Sequence, residues 1–121
     1  MRILVVDDEE LMLKALRFRL LKDGHSVEIA IDGREALKLI AQERFDLVIT
    51  DIMLPFNNGL EIVDYIKNKS GKNIPVIILS AVGAENVVLE GFALGADDYI
   101  TKPFSPVQLS VRVKRFEKAT S

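Results

Sequence analysis

Cysteine is absent from this 121-residue chain, and histidine occurs once, at position 25. No disulfide framework, thiolate metal site or cysteine nucleophile is available, nor any site that needs two imidazoles. An excess of charge of one sign is missing too. Sixteen Lys and Arg against eighteen Asp and Glu leave a formal −2, so no overall cationic field draws nucleic acid. No stretch approaches the ~20 apolar residues of a membrane span. The opening Met-Arg-Ile-Leu-Val-Val-Asp-Asp holds too few apolar residues before its acids for the ~7–15 of a signal-peptide core. A cytoplasmic location is therefore expected.

What is present reads as one folded domain spanning residues 1–121. Hydrophobic residues make up 49% and charged residues 28%, a globular rather than disordered composition. A chain of this size buries roughly two-thirds of the surface its unfolded form exposes.

Five times along the chain a short apolar run gives way to a helical pattern. Ile3 to Val6 is continuously apolar, mostly β-branched and stopped by acids, as in a strand buried on both faces. From Glu9 to Lys22, Leu11, Met12, Ala15, Leu16 and Leu20 recur at helical spacing, and Gly24 supplies a stop. Strands are expected at Val27 to Ile31, Leu47 to Thr50, Val76 to Leu79 and Tyr99 to Thr101. The intervening helices are expected from Arg34 to Glu43, Leu60 to Asn68, Glu85 to Leu94 and Val107 to Lys118. In the last of these Val107, Val111 and Val113 stand among the apolar positions. Such alternation implies a parallel sheet with helices on both faces, an α/β fold.

In an open parallel sheet, ligands gather outside the carboxyl ends of the strands, where the strand order reverses. The residues leaving the strands are Asp7-Asp8, Asp51, Ser80 and Lys102-Pro103. Any one of these acids could be a turn former, and Asp8-Glu9-Glu10 could simply favour the positive end of the first helix. Three acids, a hydroxyl and a lysine at matching ends of four strands are harder to assign to turns. Converging carboxylates repel unless a cation compensates, and a hard divalent ion such as Mg²⁺ suits oxygen ligands. With Lys102 such a site stabilises a transferring phosphoryl group, and a carboxylate can accept it as an acyl phosphate.

These residues resemble the receiver domains of two-component response regulators. The resemblance is carried by Ile-Leu-Val-Val-Asp7-Asp8-Glu9, Asp46-Leu-Val-Ile-Thr-Asp51-Ile-Met-Leu-Pro55, Pro75-Val-Ile-Ile-Leu-Ser80-Ala81 and Gly95-Ala-Asp-Asp-Tyr-Ile-Thr-Lys102-Pro103-Phe104. It implies a flavodoxin-like, doubly wound, five-stranded parallel sheet of order 2-1-3-4-5 with five helices. It also implies Asp51 as phosphoacceptor, with Asp8 a direct Mg²⁺ ligand, Asp7 a ligand through water, and the Met53 backbone carbonyl a further ligand. Lys102 should contact a phosphoryl oxygen, Ser80 and Tyr99 should form a switch pair, and the Lys102–Pro103 bond should be cis. The implied role is a switch that takes its phosphoryl group from a histidine kinase, not an enzyme acting on other substrates.

Taken alone, Tyr99 reads as half-buried packing and Ser80 as a hydroxyl satisfying backbone. Asn57-Asn58-Gly59 is a turn. His25 is expected exposed in the loop after the first helix, without a role. Arg112, Lys114, Arg115 and Lys118 read as a solvated helix face. Met53 and Val82 are apolar where receivers can carry groups that place the dephosphorylating water, so self-hydrolysis should take minutes or longer.

The late motif and following Ser-Pro are most similar to OmpR/PhoB-type receivers, which precede a winged-helix DNA-binding domain. Those dimerise through the fourth helix, fifth strand and fifth helix by cross-subunit charge pairs. Asp97, Asp98, Arg112 and Lys114 fit that pattern in part. Glu90 stands where a basic residue is usual and Gln108 where an acid is, so at least one pair is missing. The resemblance thus allows a phosphorylation-dependent homodimer and a DNA-binding effector domain beyond this chain, with transcription as output. A haloacid-dehalogenase-like phosphatase would need a second aspartate where Glu9 stands. A nucleotide- or flavin-binding module would need a phosphate loop where the first acids stand. A receiver acting only as an interaction surface would not need the full acid, hydroxyl and lysine set.

Overall fold

The computed structural model describes residues 1–117. Its elements are β1 (Arg2–Val6), α1 (Glu10–Lys22), β2 (Ser26–Ala30), α2 (Gly33–Gln42), β3 (Leu47–Asp51) and α3 (Gly59–Asp64), which widens into a π-helical turn at Tyr65–Lys69. β4 (Val76–Ala81), α4 (Glu85–Leu94), β5 (Asp98–Lys102) and α5 (Pro106–Lys114) complete the chain. The sheet is parallel throughout, in the order β2-β1-β3-β4-β5, as expected. Among the described residues no helix is long and apolar enough to cross a membrane.

Strand side chains alternate between two hydrophobic layers because successive residues point to opposite faces. Leu4, Val6, Val48, Val76 and Ile78 meet Ile40 of α2, Ile62, Val63 and Ile66 of α3 and its π turn, and Val88 of α4. Ile3, Val5, Leu47, Ile49, Ile77, Leu79 and Ile100 meet Leu13, Leu16 and Leu20 of α1 and Leu109 and Val113 of α5. Each such fully buried aliphatic side chain contributes about 1.5–3 kcal/mol of transfer free energy. Side-chain caps begin three helices: Asp32 accepts from Glu35 N at 2.8 Å, Asn58 from Glu61 N at 3.1 Å and Ser105 from Gln108 N at 2.9 Å. Gly95, at φ 115°, ends α4.

Several sequence expectations need correction. Leu11 of α1 is 81% exposed and Ala15 is exposed as well, while Leu13, absent from the expected stripe, is buried. Apolar residues occupy both sides of this helix, and its docking against the sheet and α5 decides which side is covered. Val107 and Val111 of α5 are likewise exposed, with Leu109 and Val113 inward. α5 ends at Lys114, four residues before the expected end, and Lys118 lies outside the described residues. β2 begins one residue early, at Ser26.

His25 is buried, only 7% exposed, rather than free in a loop. Its N–H donates to the Leu20 carbonyl at 3.1 Å, its Nδ1 meets the Met1 amine at 3.1 Å, and its Nε2 lies 3.5 Å from Glu117 Oε1. The start of the chain and the segment after α5 cover it. Burial, followed by the nearby amine, holds its pKa below the usual imidazole value.

Candidate functional site

Strand register assembles the site. Val6 of β1 pairs with Thr50 of β3, so the next residues, Asp7 and Asp51, emerge side by side where the strand order reverses. β4 pairs Ser80 with Thr101 and Ala81 with Lys102, bringing the hydroxyl and the lysine to the same rim. Apolar runs drive the strands to full burial, and their first polar residues therefore surface together.

Carboxylate oxygens of Asp7, Asp8 and Asp51 lie within 4.8 Å of one another. Lys102 Nζ donates to Asp51 Oδ2 at 2.7 Å and stands 3.1 Å from Asp7 Oδ2 and 3.8 Å from Glu9 Oε1. Asp51 Oδ1 accepts from the Met53 N–H at 3.2 Å, and Asp7 Oδ1 accepts from the Glu9 N–H at 3.0 Å. Asp7 is fully buried, and its Oδ2 is the one buried side-chain polar atom without a hydrogen bond among the described residues. Its approach to Lys102 is a charge contact, not an aligned hydrogen bond.

One lysine thus serves more than one acid. Burial raises the Asp51 pKa, Lys102 opposes this, and the neighbouring Asp7 charge raises it further. For Lys102, burial alone would favour the neutral amine, but its hydrogen bond to Asp51 and the charges of Asp51 and Asp7 outweigh it and push its pKa up. The cluster holds an excess of negative charge, and an orphaned buried oxygen faces into it. This donor set fits a hard divalent cation such as Mg²⁺, with Asp7, Asp8 and Asp51 as available oxygen donors.

Ser80 is buried at the end of β4. Tyr99 of β5 is 40% exposed, and its ring packs edge-on against Phe92, centroids 6.0 Å apart. Between them lies a cavity of about 470 Å³ lined by Ser80, Val82, Val88, Phe92 and Tyr99. Met53 and Val82, 76% and 78% exposed, flank the site as apolar surface. The Lys102–Pro103 bond is cis.

The expected interface residues divide. Glu90 and Lys114 are exposed on α4 and α5. Asp97 and Asp98 are both paired within the chain. Asp97 pairs with Lys67 at 2.8 Å and accepts from Val76 N at 2.8 Å. Asp98 is buried beneath Arg112 at 2.7 Å and Arg115 at 3.0 Å. Neighbours on the chain, these acids point to opposite sides of β5, one toward the π turn and the other toward α5. Arg115 reaches Asp98 while its side chain stays 60% exposed on the solvated face.

Sequence reasoning missed the support of the Asp51 loop. Phe56, at φ 56°, lies under the Arg34 guanidinium, 3.9 Å from the ring centroid, and Gly33 abuts Asn57. The helix was expected to begin at Arg34, and nothing local signalled the distant loop.

Comparisons with known proteins agree with this geometry. Residues 3–114 match the family described as the response regulator receiver domain. The response regulator MprA of Mycolicibacterium vanbaalenii is 41% identical over 120 residues, 99% of this chain and 52% of that protein. The chain therefore spans about half the length of this curated relative. Among solved structures, the receiver domain of NtrX from Brucella abortus superposes with TM-score 0.90 at 32% identity, covering 98% of this chain and 99% of that one. The chemotaxis response regulator CheY4 of Vibrio cholerae gives TM-score 0.88 at 32% identity, covering 96% and 98%. On fold, site and likeness together, this chain belongs to the response regulator receiver domain family.

Proposed function

We propose that the domain accepts a phosphoryl group on Asp51 from a phosphohistidine of a sensor kinase, in a cytoplasmic two-component system. The observation that carries this reading is the meeting of the Asp7, Asp8 and Asp51 carboxylates beneath the Lys102 amine. An Asp51 carboxylate oxygen forms the new bond to phosphorus while the phosphorus–nitrogen bond of the donor breaks; its electron pair stays on the donor ring, which already carries a proton on its other nitrogen and leaves as neutral imidazole. Lys102 holds a phosphoryl oxygen, and the Met53 N–H orients the attacking carboxylate. Asp7, Asp8, Asp51 and the Met53 carbonyl would hold Mg²⁺, which would supply positive charge that offsets carboxylate and phosphoryl oxygens alike.

Downstream, the Ser80 hydroxyl binds the phosphoryl group and Tyr99 turns into the adjoining cavity, altering the surface of α4, β5 and α5. Leu89, Val107 and Val111 are exposed there beside Glu90 and Lys114, a surface suited to homodimer contact after phosphorylation. Since MprA is twice as long, an effector domain controlling transcription is the proposed output. DNA contact by the receiver itself is not part of this reading.

Acetyl phosphate as donor tests the proposal. The unsubstituted protein should gain one hydroxylamine-labile phosphoryl group only with Mg²⁺ present, and Asp51→Asn should gain none. Undiminished labelling of that variant would overturn the assignment. With apolar Met53 and Val82 beside the site, bound phosphate should persist for minutes or longer; loss within seconds contradicts this.

A further inference from the structure

The loop of residues 52–58 carries the Met53 carbonyl, and it is braced by an element that contributes no ligand. Its far end is fixed on β3: a Cβ on Gly59 would lie 2.3 Å from the Asp51 carbonyl oxygen, and the Gly59 N–H donates to the Ile52 carbonyl at 2.9 Å. Its middle rests on the start of α2. A Cβ on Gly33 would fall 1.4 Å from the Asn57 carbonyl oxygen and 2.4 Å from the carbonyl carbon. The Gly33 N–H reaches the Pro55 carbonyl at 3.3 Å, and the next residue, Arg34, covers the Phe56 ring. These contacts fall on Pro55, Phe56 and Asn57 in turn.

Gly33 lies outside the left-handed region, so glycine supplies space here and not conformational freedom. The group that would meet a new methyl is backbone, which no rotamer change can withdraw. Ordinary contact starts near 3.4 Å, so helix and loop must part substantially to admit alanine. In a close-packed structure that displacement passes along the loop.

We infer that Gly33 is a positioning residue for the phosphoacceptor site: the bare backbone at the start of α2 sets where residues 53–57 lie, and so places the Met53 carbonyl and the Met53 N–H beside Asp51. The inference rests on the metal-assisted reading above and deepens it. A misplacement of about 1 Å in such a site can cost ~10²-fold, whereas Gly33 itself touches neither metal nor phosphate.

Mg²⁺ titration followed by backbone amide chemical shifts at residues 7–9 and 51–53 tests it on the unsubstituted protein, Gly33→Ala and Gly24→Ala. Gly24 has φ +93° and nothing within 4 Å of an added Cβ, so alanine there strains the backbone without reaching the loop. Gly33→Ala should bind Mg²⁺ at least about tenfold more weakly. Gly24→Ala should melt at lower temperature yet bind within about twofold of the unsubstituted protein. Equal affinity in Gly33→Ala, or equal weakening in both variants, overturns the inference. If Gly33→Ala does not fold, Arg34→Ala decides: amide hydrogen exchange at residues 53, 54, 56 and 57 should quicken about two- to fivefold as the cation over Phe56 is lost, and unchanged exchange overturns the inference. No Mg²⁺ response from the unsubstituted protein would overturn the phosphoacceptor reading itself, and this inference with it.

Discussion

The two ends of the sheet differ in how their charges are settled. At the amino ends of the strands lies a hollow of about 980 Å³, lined by Met1, His25, Phe45, Lys72 and Phe116 among others. Its polar groups are partnered at home. Asp46 accepts from Arg2 N at 2.8 Å, Arg2 pairs with Glu43, Lys72 binds the Ile40 and Glu43 carbonyls, and His25 sits between the Met1 amine and Glu117. At the carboxyl ends several acids share one lysine, and a buried Asp7 oxygen lacks a hydrogen bond. Unbalanced charge, more than volume, marks the chemically competent end.

Removing the lone cation should break this contrast most severely. Lys102→Met is expected to slow phosphorylation from acetyl phosphate by about 10²–10³-fold, the scale of one lost electrostatic partner of the transition state. Hydrogen exchange around His25 should stay unchanged; a phosphorylation rate within threefold of the original would remove Lys102 from the mechanism.

Adding the missing positive charge should stabilise only the carboxyl end. At free Mg²⁺ one hundred times its Kd, calorimetry should register about 2.7 kcal/mol of added stability. Asp8→Asn should abolish most of that gain, and a gain of equal size in the variant would place the ion elsewhere.

A smaller effect follows from Asp51 itself. Its folded pKa is raised by burial and by Asp7, so its contribution to stability is most favourable when protonated and is lost as pH rises through the folded value. Without Mg²⁺, Asp51→Asn should therefore be more stable at neutral pH by on the order of 1 kcal/mol. The advantage should fade as pH falls through the folded value toward about 4, below which the carboxyl is neutral in both states. Denaturant melts that give the two proteins equal stability at pH 7 would argue against charge strain at the site.

His25 should produce the mildest signal. Its folded pKa is lowered, so unfolded chains take up the proton first, and stability should drift down as pH falls below about 6.5. His25→Gln should flatten that drift, which urea titrations across this range would detect. An unaltered slope would mean that the imidazole is not the group titrating there.

Legibility differed between the same regions. The acids were readable because each central strand is an uninterrupted apolar run ending in a polar residue, and sheet geometry brings such ends together. The buried faces of α1 and α5 were not, since Leu11 and Leu13, or Val107 and Leu109, offer apolar groups on opposite sides and only tertiary docking chooses between them. His25 was misjudged because its cover comes from Met1 and Glu117, at the two extremes of the described chain. Asp98 went unread as a buried acid because the arginines that neutralise it come from the following helix. Gly33 was opaque for a related reason: its neighbour Asn57 lies in a separate loop, and a need for empty space leaves no pattern in the residues around it.

The central claim is tested most directly by locating the phosphoryl group. After exposure to acetyl phosphate and Mg²⁺, borohydride reduction of the acyl phosphate and peptide mass mapping should find homoserine at position 51 alone. Reduction at position 7 or 8, or no reduced aspartate despite intact fold and bound Mg²⁺, would contradict it.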